Sequence, residues 1–434
     1  MFKYVAEIAL TLRSESAGTF LKKIPQRTVI ILRLFNYFWA LPVLVVIRLV
    51  RPLVLIRFTT LNSSRIGHFT MDSCYYLATL PKSTHLHRTF HWFALHSFSC
   101  NQQWFKMISR KLYIRSWVKY FCVLNQKMPG GAAHVIPPLV GSRPFDGMFQ
   151  KDVPRFEFLP EENKWATQWL EKRGWKLGEP FICLLIRDPA YLQRQPHFIK
   201  FGYKSEHWDY HNYRDTDSDT YSRAVEYLVS KGFWVVRMGQ FAEKPLKTAG
   251  LRVIDYPFVN DQNDLMDIWL TLNCKLFISN SSGLDILLDA YNKAPSLIVN
   301  GLPLWQHNSW HDANWYPKNL RWKHSKAFLT LEEHLQHGYM SSPDYAAAGI
   351  DVVDLTPEEL LLAVTEQIER MTGSWIEGSG EKERQDNFWR LLKELKHFHL
   401  YHGWIHPNAR VCANFLKQIE RNFHFSPNDS SQGT

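Results

Sequence analysis

The stretch from Lys275 to Asn300 constrains this chain more than any other. Lys275 to Ser279 is an apolar run of strand length, and Asn280-Ser281-Ser282-Gly283 is a loop of small residues. A helical pattern then runs to Tyr291, and Ser296 to Asn300 is a second strand. Strand, loop, helix, strand is a βαβ unit, which needs a parallel sheet with both faces covered. The same alternation precedes it. Phe181 to Ile186 is a strand ending in Arg187-Asp188, Asp219 to Lys231 is a helix, and Phe233 to Met238 is a strand leading to Gly239. Arg252 to Tyr256 reads as a short strand and Asn263 to Leu272 as a helix. Such sheets bind ligands beyond the C-terminal ends of their strands, where Arg187, Gly239 and the 279–283 loop all fall.

The first half opens in a related way. Leu53 to Thr59 is an apolar strand, Asn62 to His68 a turn-rich loop, and Phe69 to Leu80 a helical pattern. Residues 83–158 carry crowded His and aromatic residues without a period that assigns strands. After Leu355 the pattern turns helical. Thr356 and Glu359 form a capping signal for a helix to Met371, and Glu381 to Phe398 and Asn408 to Phe423 follow. The last residues read as a disordered tail. A chain of 434 residues suits two α/β domains. The divisions are a basic apolar arm over 1–50, an N-terminal Rossmann-like domain over 51–165, a C-terminal Rossmann-like domain over 166–350, and C-terminal helices with the tail over 351–434.

Charge is concentrated in the arm. Up to Arg57 there are nine Lys or Arg against Glu7 and Glu15, and the remainder is close to neutral, so the basic balance gives no reason to expect nucleic acid. Leu34 to Ile47 is uncharged, broken by Pro42 and bounded by Arg33 and Arg48. It is shorter than the roughly 20 apolar residues of a spanning helix. With Phe35, Tyr37, Phe38 and Trp39 it suits a segment lying in the headgroup region of an anionic membrane. The six cysteines stand singly, with no CxxC pair, so neither a zinc site nor a disulfide framework is expected.

Candidate chemistry gathers at the strand ends. Ser281, Ser282 and Gly283 open a helix, where unpaired N–H groups favour a phosphate. Arg65 and Gly67 belong to a second loop of that kind. Neither loop is a GxGxxG or Walker sequence, which disfavours a nicotinamide dehydrogenase or P-loop kinase. Arg187, with Asp188 beside it, can clamp a diphosphate, and Tyr213 and Arg214 can contact a base or phosphate. His68 follows the Arg65-Ile66-Gly67 turn and can take a proton from a hydroxyl. Asp215, Asp217 and Asp219 resemble a DxD, but Asp217 or Asp219 is well placed to cap the next helix, and no metal site is assigned.

Arg65-Ile66-Gly67-His68, Arg187-Asp188, His211-Asn212-Tyr213-Arg214, Val235 to Gly239 and Phe277 to Leu284 resemble, in order, motifs of a bacterial family of surface-polysaccharide glycosyltransferases. The likeness runs from about Val54 to Leu416. More distantly the layout is similar to the lipopolysaccharide heptosyltransferases. The resemblance implies a GT-B fold, two facing Rossmann-like domains with the donor held mainly by the C-terminal one, and no metal requirement. It implies that Ser281, Ser282 and Gly283 hold the donor diphosphate through backbone N–H groups. Where the heptosyltransferases place a catalytic Asp this chain has His68, with Asp72 one helical turn on as the rival base. Near the position of their later His it has Asp285.

The reading is therefore an inverting, metal-independent transfer from a nucleotide-diphosphate sugar to a glycan or lipid-linked acceptor. It needs no cofactor and is expected at the cytoplasmic face of a bacterial inner membrane. The alternatives are a nucleotide-sugar epimerase of the same fold and a non-catalytic membrane scaffold of a polysaccharide assembly complex.

Overall fold

A computed structural model describes residues 26–79, 88–137, 143–144, 146–200, 202, 204–248 and 250–424. The first part of the arm and the expected C-terminal tail lie outside them. The chain begins with α1 (Gln26–Leu49), β1 (Val54–Leu61), α2 (Ile66–Thr79), β2 (Arg88–Leu95), α3 (Gln102–Ser109), β3 (Tyr113–Ile114) and α4 (Val118–Lys127). Next come α5 (Pro160–Glu171), β4 (Phe181–Leu185), α6 (Ser222–Ser230), β5 (Trp234–Met238), β6 (Val253–Asp255), α7 (Asp264–Asn273), β7 (Leu276–Ser279), α8 (Asp285–Tyr291) and β8 (Ser296–Gly301). The last are β9 (Ala313–Pro317), β10 (Asn319–Trp322), β11 (Ile350–Val353), α9 (Pro357–Thr372), α10 (Glu381–Glu394), β12 (Arg410–Val411) and α11 (Ala413–His424).

The chain divides into two compact units, each built from three segments. The smaller comprises 1–62, 82–98 and 112–138, and the larger 63–81, 99–111 and 139–434. The sequence reading had placed its domains consecutively. Helices α2 and α3 instead count with the larger unit, because α2 packs on α8 and α3 on α7.

The smaller unit is a parallel three-stranded sheet in the order β1-β2-β3. Phe58 and Ala94 from its strands are buried with Val118 and Phe121 of α4 and with Ala40, Leu44 and Ile47 of α1. Those last three are spaced four and three residues apart, so they share one helix face. Rings of Trp117 and Phe121 meet edge to face at 5.4 Å, as do Trp92 and Trp117 at 5.2 Å. Pro42 does not break the helix, contrary to the sequence reading. It lies on the exposed side of α1, and the helix continues through it to Leu49 at the loss of one backbone bond. That side of the helix is apolar and open: Phe38 is 80% exposed, Leu49 73% and Phe35 66%. Among the described residues no helix is long and apolar enough to cross a membrane.

The larger unit holds a seven-stranded parallel sheet in the order β12-β9-β8-β7-β4-β5-β6. Its strands send alternate side chains to two cores. Ile182 and Leu184 of β4 join Val235, Leu276 and Ile278 on one face. Phe181, Cys183 and Leu185 join Val236, Met238 and Phe277 on the other. A strand buried on both sides has no polar face, which is why these segments read as continuous apolar runs. The sequence reading ended the series at β8, but β9 and β12 extend the sheet. The C-terminal helices pack against this sheet. Leu360 and Val364 of α9, Phe388 of α10 and Phe415 of α11 complete one of the two cores. Helix α9 begins with the expected capping box, Thr356 Oγ1 accepting from Glu359 N and the Glu359 carboxylate from Thr356 N. All six cysteines are free thiols.

Candidate active site

In chain order the large sheet runs 3-2-1-4-5-6-7, so the winding reverses between β4 and β7. Connections leave in opposite directions on either side of such a point, and a crevice opens beyond the C-terminal ends of those two strands. A cavity of about 450 Å³ lies there. Its walls include Arg65, Gly67 and His68, then Arg187 and Asp188 after β4, Gly239 and Gln240 after β5, and Ser281 to Asp285 after β7. The strand ends are tied across the reversal, since Arg187 N donates to Asn280 Oδ1 at 2.9 Å. Asn280 Nδ2 in turn donates to Tyr221 Oη and to the Val299 carbonyl, both at 2.8 Å.

Two glycines join the two loops singled out in the sequence. A Cβ built on Gly67 would lie 3.2 Å from Gly283 Cα, and one on Gly283 would lie 2.9 Å from Ile66 Cγ2. The loop at 279–285 differs from its expected role. Ser279 Oγ donates to Asp285 Oδ2 at 2.6 Å, Ser282 N donates to the same oxygen at 2.8 Å, and Ser281 N donates to Ser279 Oγ at 3.1 Å. Ser281 and Ser282 have thus committed their N–H groups inside the chain. The acidic first residue of α8 takes the place an external anion would occupy. Ser281 sits at φ 60°, and Arg214 donates through Nη2 to its carbonyl.

The anion-binding capacity of the cavity resides in arginine. Arg65, Arg143, Arg187 and Arg214 all line it. Arg187 is held by Asp215 through Nε at 3.0 Å. Burial, reinforced by Arg187, pulls Arg214 down to about 10, so it stays charged at neutral pH, and its Nε has no hydrogen-bond partner. Against these stand Asp188, Asp267 and Asp285. Burial pushes Asp285 up to about 6 and Asp267 to about 7, which weakens their negative charge near neutral pH. The cavity therefore favours an anionic guest.

Two imidazoles face the same space. Burial, then Arg65, lowers the pKa of His68. His211 is pulled to about 4 by burial and by Arg187, Arg214 and Arg65. Both are neutral at pH 7 and able to accept a proton.

Several sequence candidates fall elsewhere. Tyr213 is buried in a separate apolar cluster with Leu302, Leu320 and Tyr345, because its neighbour Arg214 takes the side of the turn that faces the cavity. Asp72, one turn beyond His68 on α2, is not among the cavity-lining residues. Asp188 lines the cavity but is engaged in structure. Its Oδ1 accepts from Ala190 N at 2.9 Å, its Oδ2 from Glu243 N at 3.0 Å, and the fully buried Arg237 lies 3.6 Å away. Asp217 caps the following turn by accepting from Asp219 N and pairs with Lys244. No cluster of three or more metal-ligating side chains occurs among the described residues. Arg143, His211, Gln240 and Asp267 belong to the cavity and were not selected from the sequence. Asp267 could have been found as an acidic residue on the otherwise apolar face of a helix.

No protein-family model and no curated protein matches the chain. Among solved structures it is similar to the glycosyl transferase family 9 protein of Veillonella parvula, at 10% identity and TM-score 0.37, over 61% of this chain and 85% of that one. It is also similar to the iron-containing dodecameric glycosyltransferase TibC of enterotoxigenic E. coli, at 14% identity and TM-score 0.35, over 74% and 76%. A third likeness is to the UDP complex of S. aureus MnaA, at 6% identity and TM-score 0.28, over 88% and 100%. With TM-scores below 0.5 these likenesses carry no weight for function, which is read from the cavity's own residues.

Proposed function

We propose that the protein is a glycosyltransferase using a nucleotide-diphosphate sugar, with the donor diphosphate seated at the strand-order reversal between β4 and β7. The observation that carries this reading is the set of arginines, Arg65, Arg187 and Arg214, in one cavity whose buried carboxyls at 267 and 285 are raised toward neutral pH. The acceptor hydroxyl gives its proton to the neutral imidazole of His68 and its oxygen attacks the anomeric carbon. The bond from that carbon to the diphosphate breaks, and the oxygen electron pair leaves with the diphosphate. Arg187 and Arg214 neutralise the departing charge, the task a metal performs in other transferases. Attack from the face opposite the leaving group gives inversion, which an NMR assignment of the product anomer tests.

The sequence motifs support a role in bacterial surface-polysaccharide synthesis with a glycan or lipid-linked acceptor. The open apolar face of α1 and the basic surplus of the N-terminal segment support attachment to an anionic cytoplasmic leaflet. The test of the donor site is calorimetric titration with UDP, GDP, ADP and CDP in the presence of EDTA. Binding of one of them by the wild type, lost in Arg187→Ala, supports the reading. Absence of binding by any of them overturns it.

A further inference from the structure

One side of the cavity differs in character from the arginine-lined part. Tyr191 and Leu192, which follow β4, and Phe241, which follows the Gly239 turn, give it apolar walls, with the Tyr191 and Phe241 ring centroids 6.5 Å apart. Gln240 and Asp267 line the same cavity. Asp267, in the first turn of α7, is 5% exposed. Its Oδ2 accepts from Gln240 Nε2 at 3.1 Å, and Gln195 Nε2 donates to Gln240 Oε1 at 3.4 Å, so the carboxyl is oriented from behind. Its Oδ1 has no hydrogen-bond partner. A buried acceptor left unpaired is a standing cost that a ligand donor would remove.

Of the groups around Asp267, the Tyr256 hydroxyl lies within interaction range of the carboxyl. The Tyr256 hydroxyl is given to the Asn263 carbonyl at 3.0 Å. Cys100 and Tyr191, both raised by burial, and Asp264 are the other titratable neighbours. A cavity lined by aromatic side chains and a carboxyl fits a flat heterocycle that presents hydrogen-bond donors. Uracil offers one ring N–H between two carbonyls, and adenine one amino group beside a ring acceptor. Guanine offers N1–H and the 2-amino group side by side, matching the two oxygens of the carboxyl in its ionised form.

We infer that Asp267 reads the nucleobase of the donor and selects guanine. This rests on the nucleotide-diphosphate reading of the same cavity and adds the identity of the base. Gln240 acts through Asp267 by fixing the carboxyl plane, and is a positioning residue.

The experiment is calorimetric titration of the full chain with GDP, inosine diphosphate, UDP, ADP and pyrophosphate, for wild type and Asp267→Asn. Inosine diphosphate differs from GDP only in lacking the 2-amino group. Wild type is expected to bind GDP about tenfold or more tightly than inosine diphosphate. Asp267→Asn is expected to erase that ratio while pyrophosphate still binds. Equal wild-type affinity for GDP and inosine diphosphate overturns the inference whether or not the variant folds, as does a ratio that survives in Asp267→Asn. Tighter binding of UDP or ADP than of GDP overturns the guanine assignment and leaves the nucleotide reading standing. Failure of every nucleoside diphosphate to bind overturns both.

Discussion

Gly67 and Gly283 meet backbone to backbone, close enough that a side chain on Gly67 would press on Gly283 Cα at 3.2 Å and on its carbonyl oxygen at 3.3 Å. Neither glycine is required by a left-handed φ. Their smallness is what lets the loop before α2 and the loop before α8 share one cavity wall. Gly283→Ala is expected to destabilise the fold by ~1–3 kcal/mol, the usual cost of overpacking, and to lower nucleotide affinity. Gly338→Ala, where a Cβ meets nothing within 4 Å, is the control and should stay within about 0.5 kcal/mol of wild type. Denaturant midpoints of the two variants decide it, and equal midpoints would refute the tight contact.

Arg214 does two things, since its Nη2 holds the Ser281 carbonyl while Nε has no partner. Arg214→Ala should weaken binding of nucleoside diphosphate and of pyrophosphate alike by about tenfold or more, because a charge-assisted donor to phosphate is lost. In turnover, once a substrate pair is in hand, the loss at Arg187 or Arg214 is expected to be about 10²–10³. Unchanged pyrophosphate affinity in Arg214→Ala would move the anion site elsewhere.

Two buried groups outside the proposed chemistry predict opposite pH effects. Asp289 is pushed to about 7 by burial, with Trp310 Nε1 and Asn308 Nδ2 donating to its Oδ2. Its folded form holds a proton that the unfolded chain releases near pH 4, so its contribution to stability is full below that pH and is lost as pH rises to about 7. His334, buried edge-on against Phe415, is pulled to about 3 by burial. An unfolded imidazole binds its proton near pH 6.5, so this group costs stability as pH falls from there toward 3. Relative to wild type, Asp289→Asn should therefore gain stability between pH 5 and 7.5, and His334→Gln should gain it on acidification from 6.5 to 4.5. Urea midpoints against pH check both signs.

The exposed residues of α1 should matter to membranes and not to folding. Replacing Phe35, Phe38 and Leu49 together with Ser should leave the melting temperature within about 2 °C, since none is buried. The same change should abolish co-sedimentation with vesicles containing anionic phospholipid. Leu44→Ser, at a fully buried position, should unfold the smaller unit. Retained sedimentation in the triple variant would remove α1 as the attachment.

Much of the larger unit was legible because burial on both faces writes a strand as an unbroken apolar run, as in β4, β5, β7 and β8. β9 carries Asn314 and two aromatics and β12 is two residues long, so neither leaves such a run. In the smaller unit β2, RTFHWFAL, mixes His and Trp with apolar positions and hid its period. Of the residues chosen from the sequence, Arg65, His68, Arg187, Arg214, Gly239 and Ser281 to Gly283 line one cavity, which opens where a parallel sheet reverses its strand order. Tyr213 was misread because adjacent residues in a turn point opposite ways. Arg143 comes from irregular chain and Asp267 from the first turn of α7, and only the tertiary fold brings them in.

The interleaving of the two units has a consequence for how such a chain can change. The polypeptide passes between them five times, at 62, 81, 98, 111 and 138. A single recombination breakpoint therefore cannot exchange one unit without dividing a unit, and a fragment library cut at any one site splits at least one of the two.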